Sequence, residues 1–428
     1  MKKYLLSILM LTLMHSTFSQ PVTSPSLLKI LNSGKQDPVL KQVLEDTATY
    51  RVQIIYTEIK RNGKNQPVFT HHYYNYNPEQ YFNPASMVKL PIALLALEKL
   101  KELKKYGIDR DTHMRFDSAY EKQVPLHFDS TAPEGKPTIG HFIKKIFLIS
   151  DNDAYNRLYQ FVGHQNIHEK LAAKGYPTIL IPRQFINFDE QENRRSNPIK
   201  FFDANGNVLY EQPMLVSTIE LHYPREIKIG KAHMRGGKLI NEPFDFSRNN
   251  YMSLRDMQQI LQSVIFPESV PTEKRFDIDE DDRKFLLKFM SQYPSETDYP
   301  KYDTKIFHDS YAKFFFRLGQ MPENIRVFNK TGWAYGFLTD VSYVLDTKNK
   351  IEYMLSATVY TNSDGVLNDG KYDYEDIGYP FLFALGQKIF LHENSKKSKR
   401  KADISDLLFQ YDKRDPYDTR PVISDVDN

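Results

Sequence analysis

The chain has 428 residues, 40% of them apolar, and sets 57 basic against 54 acidic side chains for a net charge of +3. That much apolar content excludes disorder as the default and allows one large domain or two to three smaller ones, while the mixed charge offers no positive stripe for a phosphate backbone and argues against a nucleic-acid partner. With no cysteine anywhere, disulfides, thiolate metal ligands, thiol redox chemistry and a lipid anchor on an N-terminal cysteine are all excluded.

Residues 1–19 combine Lys2 and Lys3, an apolar run from Tyr4 to Met14, and small residues at Thr17 and Ser19 before Gln20. This is the pattern of a cleaved secretory signal, and the run is short for a bilayer. An exported protein without stable membrane insertion is expected, with an uncleaved anchor as the minor alternative. YRVQIIYTEIK (50–60) and PVFTHHYYNY (67–76), joined across Asn62-Gly63, predict a β-hairpin. The adjacent His71 and His72 lack metal-ligand spacing and read as surface or packing residues. YFNPASMVKLPIALLALEKL (81–100) contains a helix, and PTIGHFIKKIFLISDNDAYNRLYQFVG (137–163) reads as two helices parted near Ser150-Asp151-Asn152.

From about 176 to 250 the pattern weakens, and a long loop region is expected, with an insertion near 195–250 and a hairpin across Asp203–Gly206. Helical spacing resumes at SLRDMQQILQSVIF (253–266) and DEDDRKFLLKFMSQY (279–293), the second with acidic residues where the helix dipole favours them. NIRVFNKTG, FLTDVSYVLD and IEYMLSATVYTN then predict an antiparallel meander. A last helix, IGYPFLFALGQKIFLHEN, precedes KKSKRK (396–401) and an acidic tail. The lysine run reads as a solvated linker, with a polyanion site as the alternative. Two strands before the helices and three after them predict an α/β fold of the α+β sandwich kind. One five-stranded antiparallel sheet is flanked by helices, and the middle helices form an all-helical lobe. The expected division is a domain over 20–395 and a charged tail over 396–428.

Three triplets could carry chemistry. Ser86 and Lys89 lie three apart at a helix start, so they share a face and can act as nucleophile and base. Lysine becomes a base near neutral pH only when burial or a second cation lowers its pKa, and Met87, Val88 and Leu90 supply apolar surroundings. The Ser86 N–H, unpaired at a helix start, can help to bind an oxyanion, and Pro91 leaves the carbonyl of Met87 unpaired near the site. Ser150-Asp151-Asn152 offers a hydroxyl for proton relay, a carboxylate to brace the loop and an amide for a substrate amide. Lys330-Thr331-Gly332 ends a strand with a cation and a hydroxyl for a carboxylate, then a glycine that permits close approach. Each has a plain structural alternative: a helix cap, a polar helix junction and a solvated strand end. All three in this order, each in suitable local structure, argue jointly for a site.

On these motifs the sequence resembles the penicillin-recognising serine hydrolases, and SMVKLPIALLAL with FLISDNDAYNRLYQFVG looks most like their class A β-lactamase branch. The likeness runs from about residue 45 to 394. It implies a β-lactamase/transpeptidase-like fold in which Ser86 is acylated, Lys89 serves as base or relay, Ser150 protonates the leaving nitrogen and Asn152 binds substrate. Lys330, Thr331 and Gly332 would form the carboxylate wall, and the N–H of Trp333 would join that of Ser86 as an oxyanion hole. The class A pattern of a glutamate with an asparagine four residues on has its best match at Asp189 and Asn193, which makes Asp189, one methylene short, the tentative deacylating acid, with Glu190 and Glu192 as alternatives. The implied activity is hydrolysis of a β-lactam or related amide through acyl-Ser86 by an exported, periplasmic enzyme needing no metal or organic cofactor, its substrate a small β-lactam or a peptidoglycan-like peptide. A D,D-peptidase or esterase with slow β-lactam turnover, and a penicillin-binding sensor without turnover, are the alternatives. An antibiotic-resistance role follows only from the first.

Overall fold

The computed structural model describes residues 20–428 apart from 224, 397–400, 416, 418, 421 and 426–428. The signal-like segment over 1–19 and most of the lysine run therefore lie outside the described residues. Five antiparallel strands, β1 (Gln53–Arg61), β2 (Pro67–Tyr74), β3 (Ile325–Ala334), β4 (Phe337–Asp346) and β5 (Ile351–Tyr360), pair in the order β3-β4-β5-β1-β2. The hairpin from the chain's start thus joins the late meander through β1 and β5, with Ile55 opposite Ser356.

Strand alternation divides the core. Ile54, Tyr56, Leu338 and Val344 enter one apolar cluster, whereas Ile55, Ile59, Val341 and Tyr343 enter another on the opposite face. The helices Pro25–Leu31, Pro38–Glu45 and Tyr379–Ser395 cover the first face, and the helical lobe covers the second. β4 is buried along its whole length, as a sheet covered on both faces requires.

In the lobe, the helix Lys89–Leu103 carries apolar residues round most of its circumference and is buried almost throughout, the pattern of a central helix. Thr138, Asp151 and Ser253 start the helices Ile139–Leu148, Asn152–Val162 and Leu254–Ile265, each with a side-chain oxygen accepting a backbone N–H. The helix Glu280–Ser291 begins with Glu280, Asp281 and Asp282.

Two regions differ from the sequence reading. Within 195–250 the expected hairpin across Asp203–Gly206 is present, Ile199–Phe202 pairing with Val208–Gln212, but it also joins Met114–Phe116, and further strands stand where a loop was expected, Ala232–Arg235 pairing with Lys238–Ile240 and Val366–Leu367. Polar turn residues hid these further strands, which are only two to four residues long. The tail is also not a free appendage. Ala402, Ile404 and Leu407 enter the core, and the Arg414 guanidinium donates to the Thr297 carbonyl at 3.0 Å. Lys396 is ion-paired with Glu58 and Glu393 instead of standing free in solvent. His71 is exposed and His72 half-buried, and their Nδ1 atoms are hydrogen-bonded to the hydroxyls of Thr57 and Ser26. No helix among the described residues is long and apolar enough to cross a membrane.

Gly386 shows how tightly the last helix is seated. A Cβ at this position would lie 2.4 Å from the Phe315 carbonyl oxygen. Ala favours a helix over Gly by about 1 kcal/mol, but overpacking costs about 1–3 kcal/mol. Gly386→Ala should therefore lower the denaturation midpoint; an unchanged or raised midpoint would show that the Phe315 backbone yields freely.

Candidate active site

The site lies where the edge strand β3 meets the helical lobe. Asn83 accepts the Ala85 N–H at 2.8 Å and helps to hold Ala85 at a φ of +44°, a left-handed conformation uncommon outside glycine. A 3₁₀ turn, Ala85–Val88, then leads into the helix beginning at Lys89 and sets Ser86 at the wall of a cavity of about 510 Å³. Ser150 is also left-handed, at a φ of +66°, in the break between two helices. Such conformations persist where surrounding structure holds them, and here both flank one cavity. Asp151 braces the break: its carboxylate accepts the Ala154 N–H at 2.8 Å and faces the Lys145 ammonium at 3.3 Å.

Gly332 sets the distance between β3 and the Ser86 turn. A Cβ there would stand 2.3 Å from the Pro84 carbonyl oxygen and 3.1 Å from the Met87 nitrogen, so only glycine permits this approach. Tyr335 and Gly336, at φ +52° and +82°, form the two-residue turn that leaves Ala334 opposite Phe337. Bonded pairs alternate from that closing pair. Gly332 therefore pairs with Thr339, and the Trp333 N–H points off the open edge of the sheet. The indole packs edge-on against Tyr311 and Phe314 while also lining the cavity, so it both fills space behind the strand and forms part of the cavity's rim.

Two buried lysines meet at Ser150. Lys89 Nζ donates to the Ser150 carbonyl, to Asn152 Oδ1 at 2.8 Å and to Ser150 Oγ at 3.3 Å. Lys330 Nζ donates to the same Oγ at 2.9 Å and to the Thr331 carbonyl at 2.8 Å. Burial lowers the Lys89 pKa to about 7, the Asp151 charge offsetting only part of the effect. Burial also pushes Lys330 well down, helped by the positive charges of Lys89 and Lys313. A neutral amine has two protons to donate and one lone pair, so Lys89 can satisfy two oxygens and still accept a proton. The Thr331 hydroxyl is buried and has no partner among the described residues.

A model of the beta-lactamase enzyme family matches residues 38–377. The chain belongs to that family. Among solved structures, the beta-lactamase from Sphaerobacter thermophilus is 13% identical, with 84% of this chain and 98% of that one covered at a TM-score of 0.45. The beta-lactamase from Streptosporangium roseum is 15% identical, covering 82% and 98% at 0.46. A mutant of PBP-A in its acyl-enzyme complex with penicillin G is 12% identical, covering 85% and 97% at 0.46. No curated protein matches.

The structure of this beta-lactamase-family chain brings Ser86, Lys89, Ser150, Asn152, Lys330, Thr331, Gly332 and Trp333 together. Asp189 does not join them. It is exposed, caps the short helix Glu190–Asn193 by accepting the Glu192 N–H at 2.8 Å, and lines no cavity with Ser86. Glu190 pairs with Arg194 and Arg248, and Glu192 with Lys122. Spacing alone pointed to Asp189, but the carboxylate is used by its own backbone. Asn193 is likewise structural, accepting the Gln184 N–H at 2.7 Å.

The residue that faces Lys89 from this loop is Phe185, whose ring centre is 5.3 Å from Nζ. It stacks at 4.5 Å on Tyr155, and Asn156 fixes its backbone by accepting the Phe185 N–H at 2.7 Å. Asn156, one helical turn after Asn152, was the available sequence signal. Lys313 was also missed. Fully enclosed beside β3, it donates to Met290 O, Val327 O and Asn329 Oδ1 at 2.7, 3.0 and 2.6 Å. Asn329 in turn donates to Asp340, so a buried polar cluster underlies the strand that carries Lys330.

Gly332→Ala should keep the fold but move β3 off Ser86. A shift of about 1 Å costs about 100-fold in rate, and that loss in Ser86 acylation, read by intact mass, is expected with the sheet's circular dichroism retained. Acylation at the unaltered rate would remove the close approach from the account.

Proposed function

We propose that this chain is an exported, class A-like serine hydrolase that opens a β-lactam or related carboxylate-bearing amide, forms acyl-Ser86 readily and releases it slowly. This places it nearer a D,D-peptidase or esterase than an efficient β-lactamase. The observation that carries the reading is the side chain facing Lys89: Phe185, with no acidic residue among those lining the cavity.

In this mechanism Lys89 takes the proton of Ser86 as Oγ bonds to the substrate carbonyl carbon. The developing oxyanion is met by the N–H groups of Ser86 and Trp333. As the carbon–nitrogen bond breaks, the leaving nitrogen takes a proton from the Ser150 hydroxyl, which both lysines can resupply. Lys330 and Thr331 attract the substrate carboxylate. Hydrolysis of the ester then needs a water held in place beside Lys89, where the Phe185 ring offers no group to hold or activate it. Residues 1–19, with their signal pattern, support a periplasmic setting.

Intact-mass spectra over time after adding benzylpenicillin test this directly. A single adduct that decays slowly is expected, absent from Ser86→Ala. Phe185→Glu, which sets a carboxylate beside Lys89, should shorten the adduct's life by about tenfold or more, on the scale of general-base catalysis, whereas Asp189→Asn should leave its decay unchanged. An adduct on Ser86→Ala, or rapid turnover by the unaltered protein, would refute the reading.

A further inference from the structure

We infer that Lys313 is a positioning residue for the reaction: its enclosed side-chain nitrogen fastens the open edge of β3 to the helical lobe and so holds Lys330 at Ser150. This rests on the acyl-enzyme reading above and adds to it a residue that lines no cavity with Ser86 and acts through another lysine.

An outer strand leaves the backbone groups of every second residue without a partner strand. β3 is such a strand, paired only with β4. The alternation that turns Gly332 toward Thr339 turns Val327, Asn329, Thr331 and Trp333 outward. Two of the outward carbonyls are taken by lysines: Val327 O accepts from Lys313 Nζ at 3.0 Å, and one ladder repeat of four residues further on Thr331 O accepts from Lys330 Nζ at 2.8 Å. The two side chains thus cap one edge in series. A shift of the strand at Val327 would carry Thr331 and Lys330 with it.

The surroundings of Lys313 oppose that shift. Its other acceptors are Met290 O at 2.7 Å, in the last turn of the helix Glu280–Ser291, and Asn329 Oδ1 at 2.6 Å. Lobe helix, edge strand and the segment leading into the turn Phe314–Phe316 therefore meet at one nitrogen. Asn329 closes the clasp from the strand: its Nδ2 donates to Ala312 O at 2.8 Å and to Asp340 Oδ1 at 2.9 Å, while Asp340 Oδ2 accepts the Phe314 N–H at 2.9 Å. The three acceptors of Lys313 are all uncharged oxygens. Burial pushes its pKa down, with the Asp340 carboxylate opposing. An apolar side chain would fill the space without that desolvation, so what the amine adds is three bonds of fixed direction.

The test is a double-mutant cycle read in the rate of Ser86 acylation by benzylpenicillin, followed by intact mass. Lys313→Met should slow acylation about tenfold, a fraction of the 100-fold that a shift of about 1 Å costs. In Lys330→Met protein, with no amine left to position, it should slow acylation no further. Equal losses in both backgrounds would overturn the inference, because a general loosening of the fold acts whether or not Lys330 is present. Asn329→Ser cuts the same clasp from the strand side and should repeat the pattern; if neither variant folds, the cluster serves the fold and not the site, which also overturns it. A second readout needs no acylation: the ¹³Cε titration of Lys330, assigned by its loss in Lys330→Met. Its midpoint should rise in Lys313→Met, because a positive charge departs and the amine is less tightly enclosed, and both changes favour the protonated form. The other charges that act on it, Lys89 from the lobe and Asp340 from β4, remain. An unmoved midpoint overturns the inference. A raised midpoint in a protein that benzylpenicillin never acylates would instead overturn the acyl-enzyme reading and leave the hold of Lys313 on Lys330 standing.

Discussion

Two lysine side-chain nitrogens denied contact with water converge on the hydroxyl of Ser150, and the arrangement of the lobe and sheet follows from keeping them there. Lys89 and Lys330 are 0% and 2% exposed, and each must find oxygen acceptors inside the protein. The helix break supplies them for Lys89, through the Ser150 carbonyl and Asn152. The edge strand supplies the Thr331 carbonyl for Lys330. Neither element would hold its partner's lysine at this spacing without the glycine that lets β3 touch the Pro84–Met87 backbone. Burial that would be a liability elsewhere here makes a base: the cost of charging Lys89 is what frees its lone pair.

Much of this was legible before the structure. The hairpin and the late meander announced themselves by β-branched and aromatic runs, and the helix break by three polar residues inside an apolar pattern. Ser86, Lys89 and Lys330 were singled out by type, order and local structure together. What spacing could not reveal was which loop residue faces Lys89. Asp189 satisfies a sequence interval, yet an aspartate ahead of three helix-forming residues is also an ideal cap, and the backbone claims it. Phe185 carries no chemical signature, and only its bonds to Asn156 place it in the site. The strands Lys228–Ile229, Ala232–Arg235 and Lys238–Ile240 escaped because runs of two to four residues show too few alternations to be seen against polar turns.

The aromatic rings that face Lys89 also help to set its pKa. Phe185 and Tyr155 stand at 5.3 and 5.9 Å from Lys89 Nζ, which lies over both rings. Apolar ring mass keeps water away from the amine, and the weak attraction of a ring face for a cation offsets only a little of that desolvation. The proposed ready acylation and slow release would both follow from this one environment. The tail packs behind Ile149 on one side of that environment, and the polar cluster around Lys313 underlies the strand on the other.

The central claim is that Lys89 is a neutral amine at the pH where the enzyme works. Its titration can be followed by NMR in protein carrying ¹³Cε-labelled lysine, with the Lys89 resonance assigned by its loss in Lys89→Met. The account predicts a midpoint at about 7 for this one side chain; a midpoint near the ordinary value of 10.5 would contradict it.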